Sequence, residues 1–118
     1  MKTVVITGGG GYIGGQTAIY FKEQGWTVTA IDRNPQFDHL EPYIDNYILD
    51  NFVSISGLSA LHTADVVVHC AGSSLVGPSI KDPSVYYENN FIATKRMLDY
   101  MVGNKLFPKI IFSSSAAV

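Results

Sequence analysis

Residues 4–14 read VVITGGGGYIG, a short apolar run followed directly by a cluster of glycines. The run is continuous and does not alternate with polar residues, which is typical of a strand buried on both faces of a parallel sheet. Glycine permits positive φ in a tight turn and lets backbone amides come close to a ligand. A helix beginning just beyond the glycines would add unpaired amides and a partial positive charge. The stretch therefore predicts a strand, a phosphate-binding turn and a helix.

Other short apolar runs along the chain are predicted strands of the same kind. With residues 3–7 as the first strand, they cover 27–31, 47–49, 65–68 and 109–112. Strands that alternate with helices, joined by right-handed crossovers, form a doubly wound α/β sheet. We therefore predict one Rossmann-like domain over residues 1–118, with about five parallel strands in the order 3-2-1-4-5.

Two helices are predicted, each with one inward face. The first follows the glycines and ends near Gly25, and its predicted inward residues are Ile13, Thr17, Tyr20 and Phe21. The second covers about 83–102, with Asp82 as its cap and Pro83 in its first position. Its predicted inward residues are Tyr87, Phe91, Thr94, Leu98 and Met101. The segment 34–45 is predicted to be a loop with at most a short helix, and 52–61 carries only a weak helical pattern.

The glycine turn has an acidic counterpart at the end of the second predicted strand. Gly9-x-Gly11-x-x-Gly14 and Gly8-x-x-Gly11-x-x-Gly14 both fit known dinucleotide-binding patterns, and Asp32 follows at the usual distance. A carboxylate there accepts hydrogen bonds from the adenosine ribose and repels a 2′-phosphate, which favours NAD over NADP. Arg33 offers a cation to such a phosphate and leaves NADP open. The competing interpretation is a tight turn without a ligand.

Composition narrows the possible partners. Charged residues make up 15% of the chain against a norm of roughly 25%, so the polar surface is small and we expect a homo-oligomer. The net charge of −2 is scattered without runs, which argues against nucleic acid. The apolar run at the N-terminus is too short for a signal peptide or a membrane span. We expect a cytoplasmic protein without a membrane partner.

The cysteine and the histidines point to structural roles. Cys70 is the single cysteine, so no internal disulfide is expected, and a reducing compartment follows. We expect it to be a small buried residue at the cofactor floor, because no helix N-terminus or cation is evident beside it. His39, His62 and His69 share no metal-ligand spacing, and no metal site is expected. His39 and His62 are predicted at the surface, and His69 as a hydrogen-bonded residue at a strand end.

Five motifs in order resemble the extended short-chain dehydrogenase/reductases, and within them most closely the UDP-glucose 4-epimerases. They are TGGGGYIG at 7–14, HCAG at 69–72, VG at 76–77, YYENN at 86–90 and FSSSA at 112–116. The resemblance spans the whole chain. It implies an NAD-bound enzyme that acts on a nucleotide sugar, a UDP-hexose: a hydride leaves C4 of the sugar for the nicotinamide, the 4-keto sugar turns over, and the hydride returns to its other face.

The resemblance also implies roles for individual positions. Ser115 resembles the catalytic serine, whose hydroxyl bonds the sugar oxygen and assists proton transfer. Asp32 resembles the ribose-binding carboxylate, and Asp50 and Asn51 the adenine contact. The remaining cofactor-binding positions are Gly8, Gly11, Tyr12, Ile13 and Gly14 at the pyrophosphate, Arg33 beside the ribose, and Cys70, Ala71, Gly72, Ser74, Asn90 and Ser113 towards the nicotinamide.

The sequence departs from the family at three places. Ser74 stands where a lysine usually reaches the cofactor, and Arg33 stands where an asparagine is more familiar. The sequence ends at Val118, before the expected Tyr-x-x-x-Lys pair and the C-terminal sugar-nucleotide domain, so these 118 residues are expected to bind cofactor without turnover. Two alternatives stay open: part of a nucleotide-sugar 4,6-dehydratase or reductase, and a non-catalytic NAD(P)-binding sensor module.

Overall fold

Five parallel strands form one sheet in the order β3-β2-β1-β4-β5, which confirms the predicted fold class. The computed structural model describes residues 2–71 and 83–113, with residues 83–90 as backbone only. The strands are β1 (Thr3–Thr7), β2 (Thr27–Asp32), β3 (Asn46–Leu49), β4 (Val66–His69) and β5 (Lys109–Phe112). Their bounds agree with the predicted runs to within a residue at each end.

The helices lie between the strands as expected. They are α1 (Tyr12–Glu23), α2 (Ile55–Ala60) and α3 (Pro83–Gly103), with 3₁₀ helices at Asp38–Tyr43 and Leu61–Thr63. The first 3₁₀ helix falls in the segment predicted to be a loop with at most a short helix. Gly25, just past α1, has a φ of +86°, which suits the predicted left-handed helix end. The predicted cap Asp82 lies outside the described residues.

Two apolar layers cover the sheet, one on each face. On one face, α1 and the first 3₁₀ helix bury a layer that includes Val4, Ile6 and Leu40. On the other, α2 and α3 bury a layer that includes Val5, Leu61 and Met97. Neighbouring residues of β1 point to opposite layers, so its central residues Val4, Val5 and Ile6 are all apolar and buried, as the continuous run predicted.

The predicted inward faces of both long helices are partly wrong. In α1, Ile13 and Tyr20 are 45% and 60% exposed, and the buried residues are Gly14, Gly15 and Ala18. The helix lies so close to the glycine turn that only residues with little or no side chain fit. A Cβ on Gly14 would overlap the carbonyl oxygen of Gly8.

In α3, the buried residues are Met97 and Met101, with Thr94 and Leu98 half-buried, whereas Phe91 is 68% exposed. Tyr87 belongs to the part described as backbone only. Ile92 and Val102 are also exposed on this helix, and the apolar surface agrees with the expected self-association, which stays a prediction. Within the described residues, no helix is both long and apolar enough to span a membrane.

Candidate functional site

The parallel register brings the ends of all five strands to one edge of the sheet, called here the carboxyl edge. Thr7 pairs with Ile31 and with His69, and Asp32 and His69 pair with Leu49 and Phe112. The predicted positions that follow these strands therefore lie along one edge. They are Gly8 and Gly11 to Gly14, Asp32 and Arg33, Asp50 and Asn51, Cys70 and Ala71, and Ser113. Gly72, Ser74 and Ser115 lie outside the described residues, and Asn90 is described as backbone only.

The glycine turn is held at both sides of β1. Gly8 has a φ of +71°, and its N–H donates to the carbonyl of Ile31 at 2.7 Å. A Cβ on Gly8 would lie 2.8 Å from the amide nitrogen of Ala71, on the β4 side. The N–H of Gly11 donates back to Gly8 at 3.1 Å and closes the turn. Position 8 therefore requires glycine for its conformation and for the approach of a second backbone segment.

The N-terminus of α1 is open to an anion. Gly11 is the N-cap and provides no side-chain cap, and the first turn carries no acidic residue. The first hydrogen bond of the helix runs from Gly15 to Gly11 at 2.8 Å, so the amides of residues 12–14 have no acceptor within the helix. A Cβ on Gly11 would meet nothing closer than the Gly8 carbonyl at 3.5 Å. Among the described residues, nothing occupies these amides or the space around Gly11, and a phosphate group needs both.

Asp32 lies directly beside this turn. Its Oδ2 accepts the N–H of Gly10 and its Oδ1 accepts the N–H of Asn34, each at 2.9 Å. Its backbone carbonyl accepts the N–H of Asp50 at 2.8 Å, which ties the ends of β2 and β3 together. A carboxylate oxygen has more than one acceptor position, so each oxygen keeps capacity for a hydroxyl donor. Arg33, the next residue, is exposed.

Tyr47 lies beside Asp32 at the carboxyl edge, and the sequence did not single it out. It lies in β3, and its hydroxyl donates to the carbonyl of Asn34 at 2.6 Å. Burial, together with the negative charge of Asp32, raises the pKa of Tyr47 to about 12, so the phenol stays a donor. A partly buried tyrosine usually has a partner for its hydroxyl, and that general rule is the signal that was available in the sequence.

Asp50 and Asn51 form a local turn after β3. Asp50 is exposed, and one of its carboxylate oxygens accepts the N–H of Asn51 at 2.7 Å. The side-chain oxygen of Asn51 accepts the N–H of Val53 at 3.1 Å. Both side chains therefore shape the turn, and Asp50 also presents a carboxylate to solvent at the carboxyl edge.

A buried histidine organises the β4 side of the edge. The Oγ1 atom of Thr7 accepts the amides of Cys70 and Ala71, both at 3.2 Å, and lies 2.6 Å from Nδ1 of His69. Because the two amides use the lone pairs of the hydroxyl, its proton goes to Nδ1. Nε2 of His69 is then the protonated nitrogen and donates to Oγ1 of Thr94 on α3 at 3.0 Å.

The environment of this histidine favours its neutral form. His69 is 5% exposed and makes edge contacts with the rings of Phe52 and Phe112. Desolvation lowers the pKa of His69 to about 4. The predicted hydrogen-bonded role at a strand end is confirmed. His39 and His62 are exposed, as predicted.

Cys70 and Ser113 complete the β4 and β5 ends. Cys70 is buried, and burial raises the pKa of its thiol, which keeps it protonated and agrees with the predicted structural role. The N–H of Ser113 donates to the carbonyl of His69 at 3.1 Å. Within residues 2–71 and 83–113, no three His, Cys, Asp or Glu side chains are grouped to hold a metal ion.

A cavity of about 680 Å³ lies at the opposite edge of the sheet, where the strands begin. Its lining includes Lys2, Trp26, Asp65 and Lys109, and none of the predicted site positions. The carboxyl edge is the side where open α/β sheets bind their ligands. We therefore assign the candidate site to the carboxyl edge, with its free amides and acidic side chains.

Known proteins match the chain over nearly its whole length. The UDP-glucose 4-epimerase of Halalkalibacterium halodurans is 38% identical over 118 residues, which cover 97% of this chain and 35% of the relative. The crystal structure of UDP-glucose 4-epimerase from Bifidobacterium longum in complex with NAD⁺ and UDP matches with a TM-score of 0.80 and 30% identity, over 99% of this chain and 38% of that one.

A second structure agrees with the first. It is UDP-glucose 4-epimerase from Stenotrophomonas maltophila with bound NAD and formylated UDP-arabinopyranose, with a TM-score of 0.80 and 27% identity over 100% of this chain and 38% of that one. The chain thus spans about a third of the length of the relatives that it matches. The model of the NAD dependent epimerase/dehydratase family matches residues 4–118. With its glycine turn, its acidic partner and this match, the chain belongs to the NAD dependent epimerase/dehydratase family.

Proposed function

We propose that this chain binds NAD along the carboxyl edge and forms the cofactor-binding part of an enzyme that interconverts UDP-glucose and UDP-galactose. The observation that carries the proposal is the hydrogen bond from the Gly10 amide to Asp32, which puts an acidic acceptor directly beside an uncapped helix N-terminus. One end of that pair suits a pyrophosphate and the other a ribose hydroxyl. The relatives with 27–38% identity, which are UDP-glucose 4-epimerases, support the choice of substrate.

Different residues bind different parts of the cofactor. The amides of Tyr12, Ile13 and Gly14 hold the pyrophosphate, and Gly8 and Gly11 keep the approach open. Asp32 accepts the hydroxyls of the adenosine ribose, and Asp50 and Asn51 lie on the adenine side. The positions assigned to the nicotinamide side are Cys70, Ala71, Gly72, Ser74, Asn90 and Ser113. Arg33 follows Asp32 directly and lies beside the ribose.

The chemistry that NAD supplies when bound is acceptance and return of a hydride at C4 of the sugar. This chain holds the dinucleotide along the carboxyl edge, with the adenine beside the end of β3 and the nicotinamide beside the end of β4. At that end a neutral, buried His69 holds Thr7, and Thr7 holds the amides of residues 70 and 71. The assignment of Ser115 as the catalytic serine rests on the resemblance alone and stays a prediction.

Calorimetric titration of the 118-residue chain with NAD⁺ tests the binding. Replacement of Asp32 by alanine removes a charged acceptor from the ribose, and NAD⁺ binding should weaken about 10- to 100-fold. The matched control is Asp99→Ala, which removes the same charge from the exposed face of α3 and should leave binding unchanged. Unchanged affinity in Asp32→Ala would refute the assignment of this edge.

The activity itself is tested with UDP-galactose on a protein that carries this chain. The expected product is UDP-glucose, and Ser115→Ala should lower kcat. A 4-keto-6-deoxy sugar as the product would favour the dehydratase alternative. NAD⁺ binding without any turnover would favour the sensor alternative.

A further inference from the structure

We propose that Tyr47 is a positioning residue that sets the preference for a 2′-hydroxyl over a 2′-phosphate dinucleotide, by holding the turn that orients Asp32. The inference rests on the proposed function, since it takes Asp32 as the group that faces the adenosine ribose. It concerns a residue on β3 that acts through a neighbouring backbone segment.

The Tyr47 phenol is linked to the Asp32 carboxylate through the backbone of Asn34. The hydroxyl of Tyr47 donates to the carbonyl of Asn34 at 2.6 Å. The N–H of Asn34 donates to Oδ1 of Asp32 at 2.9 Å. Asn34 is therefore held at both of its backbone polar groups, by β3 on one side and by the carboxylate on the other.

The Asp32 carboxylate and the Tyr47 hydroxyl both lie close to Gly10. A Cβ on Gly10 would contact the Tyr47 hydroxyl and would lie 3.0 Å from Oδ2 of Asp32. The phenol, the carboxylate and the glycine turn therefore meet at one point, and Oδ2 accepts the Gly10 amide there. The proton of the phenol goes to Asn34, which leaves the remaining acceptor positions of Asp32 for a ligand.

Arg33 lies between two residues, Asp32 and Asn34, that hydrogen bonds hold in place. Arg33 is exposed, while its neighbours Asp32 and Asn34 are both fixed by hydrogen bonds. With the turn held, a 2′-phosphate on the ribose would approach the Asp32 carboxylate and meet a like charge. With the turn released, Asp32 loses its orientation, and the Arg33 cation gains freedom to approach a phosphate. The preference for NAD⁺ over NADP⁺ therefore depends on the hydrogen bond from Tyr47 to Asn34.

The decisive variant is Tyr47→Phe, which removes one hydroxyl and keeps the ring packed against the α1 layer. We expect NAD⁺ affinity to fall about 3- to 10-fold, the range for one lost hydrogen bond. NADP⁺ affinity should stay the same or rise, so the ratio of the two dissociation constants moves towards NADP⁺. A merely structural role would weaken both dinucleotides equally and leave that ratio unchanged, which would overturn the proposal.

Two comparisons separate this inference from the proposed function. Tyr20→Phe removes a hydroxyl from an exposed tyrosine on α1 and should leave both affinities unchanged. Asp32→Ala tests the underlying site. If Asp32→Ala leaves NAD⁺ binding intact, the proposed function fails together with the inference. If Asp32→Ala weakens NAD⁺ binding and Tyr47→Phe leaves the affinity ratio unchanged, only the role of Tyr47 fails.

Discussion

The carboxyl edge has two corners, one on each side of β1, and they are built by opposite means. The acidic corner, made of Gly10, Asp32, Asn34 and Tyr47, holds a half-buried carboxylate that accepts two backbone amides, and the Tyr47 phenol donates to the neighbouring Asn34 carbonyl. The histidine corner, made of Thr7, His69 and Thr94, is centred on a ring that is 5% exposed and held at both nitrogens. One corner keeps a charge near water, and the other keeps a titratable group neutral inside.

Desolvation explains the difference. A carboxylate without a cation is costly to bury, and Asp32 accordingly lies where it is partly exposed to water. A neutral imidazole with both nitrogens bonded satisfies the requirements of a buried polar group. We infer that the acidic corner is arranged to meet a ligand, while the histidine corner is arranged to hold β1, β4 and α3 together. Three further experiments test that contrast.

The largest effect should come from Gly8, which joins the two corners. Gly8→Ala combines a φ of +71° with a Cβ 2.8 Å from the Ala71 amide, so either the turn or the β4 end has to move. We expect a loss of at least about 3 kcal/mol in the free energy of unfolding, measured with urea.

The matched control for this variant is Gly25→Ala. Gly25 also has a positive φ, +86°, but a Cβ there would meet no atom of the described residues within 4 Å. The free energy of unfolding of Gly25→Ala should fall by only about 1 kcal/mol, which is the cost of placing a side chain at positive φ. Equal losses in the two variants would mean that the approach of β4 to the turn contributes nothing.

Much of this architecture could be predicted, because the sheet depends on patterns that lie within short segments. The continuous apolar run of β1 predicted burial on both faces, and the strand order followed from the alternation of strands and helices. The helix faces were less predictable. Ile13 and Tyr20 carry the apolar pattern of α1, yet the buried residues of the helix are Gly14, Gly15 and Ala18. At Gly14 a side chain would overlap the backbone of the glycine turn, and hydrophobic periodicity does not reveal such a close approach.

The candidate site was likewise predictable only in part. The pairing of Asp32 with the glycine turn was predicted from spacing, and the structure joins them through the Gly10 amide. The contributions of Tyr47 and Thr7 were not predicted, since each acts through a hydroxyl whose partner lies in another element of the fold. Thr7 and His69, for example, are 62 positions apart. Such contacts depend on the register between strands, which a single sequence does not reveal residue by residue.

The second effect in size should be a dependence of stability on pH that originates in the histidine corner. The pKa of His69 is about 4 in the folded chain against 6.5 for an ordinary histidine. Below pH 6.5 the unfolded chain therefore binds a proton that the folded chain does not bind until about pH 4. Stability is highest above that window and should fall by about 2 kcal/mol between pH 7 and pH 5, as measured by urea unfolding at each pH.

Replacement of His69 by glutamine should remove most of that slope, whereas replacement of the exposed His39 should keep it. The pKa of Asp45 is lowered by its hydrogen bond to Lys22, so its contribution is lost only below its ordinary value of 3.8, outside the window. An unchanged slope in His69→Gln would show that the histidine corner is not the source of the dependence.

The smallest of the three effects separates the hydroxyl of Thr7 from its shape. Thr7→Val keeps the volume but leaves the Ala71 amide and Nδ1 of His69 without the partner that they share, while the Cys70 amide keeps the Thr7 carbonyl at 3.0 Å. We expect a loss of about 1 to 2 kcal/mol in the free energy of unfolding and faster hydrogen exchange at the Ala71 amide.

Thr7→Ser is the control, because it keeps the hydroxyl. Exchange at the Ala71 amide should stay slow in this variant even though a buried methyl group is lost. Equal exchange rates in the two variants would mean that the amide is protected by burial rather than by Thr7. The histidine corner would then hold β4 through packing alone, and its contrast with the acidic corner would be one of exposure and not of hydrogen bonding.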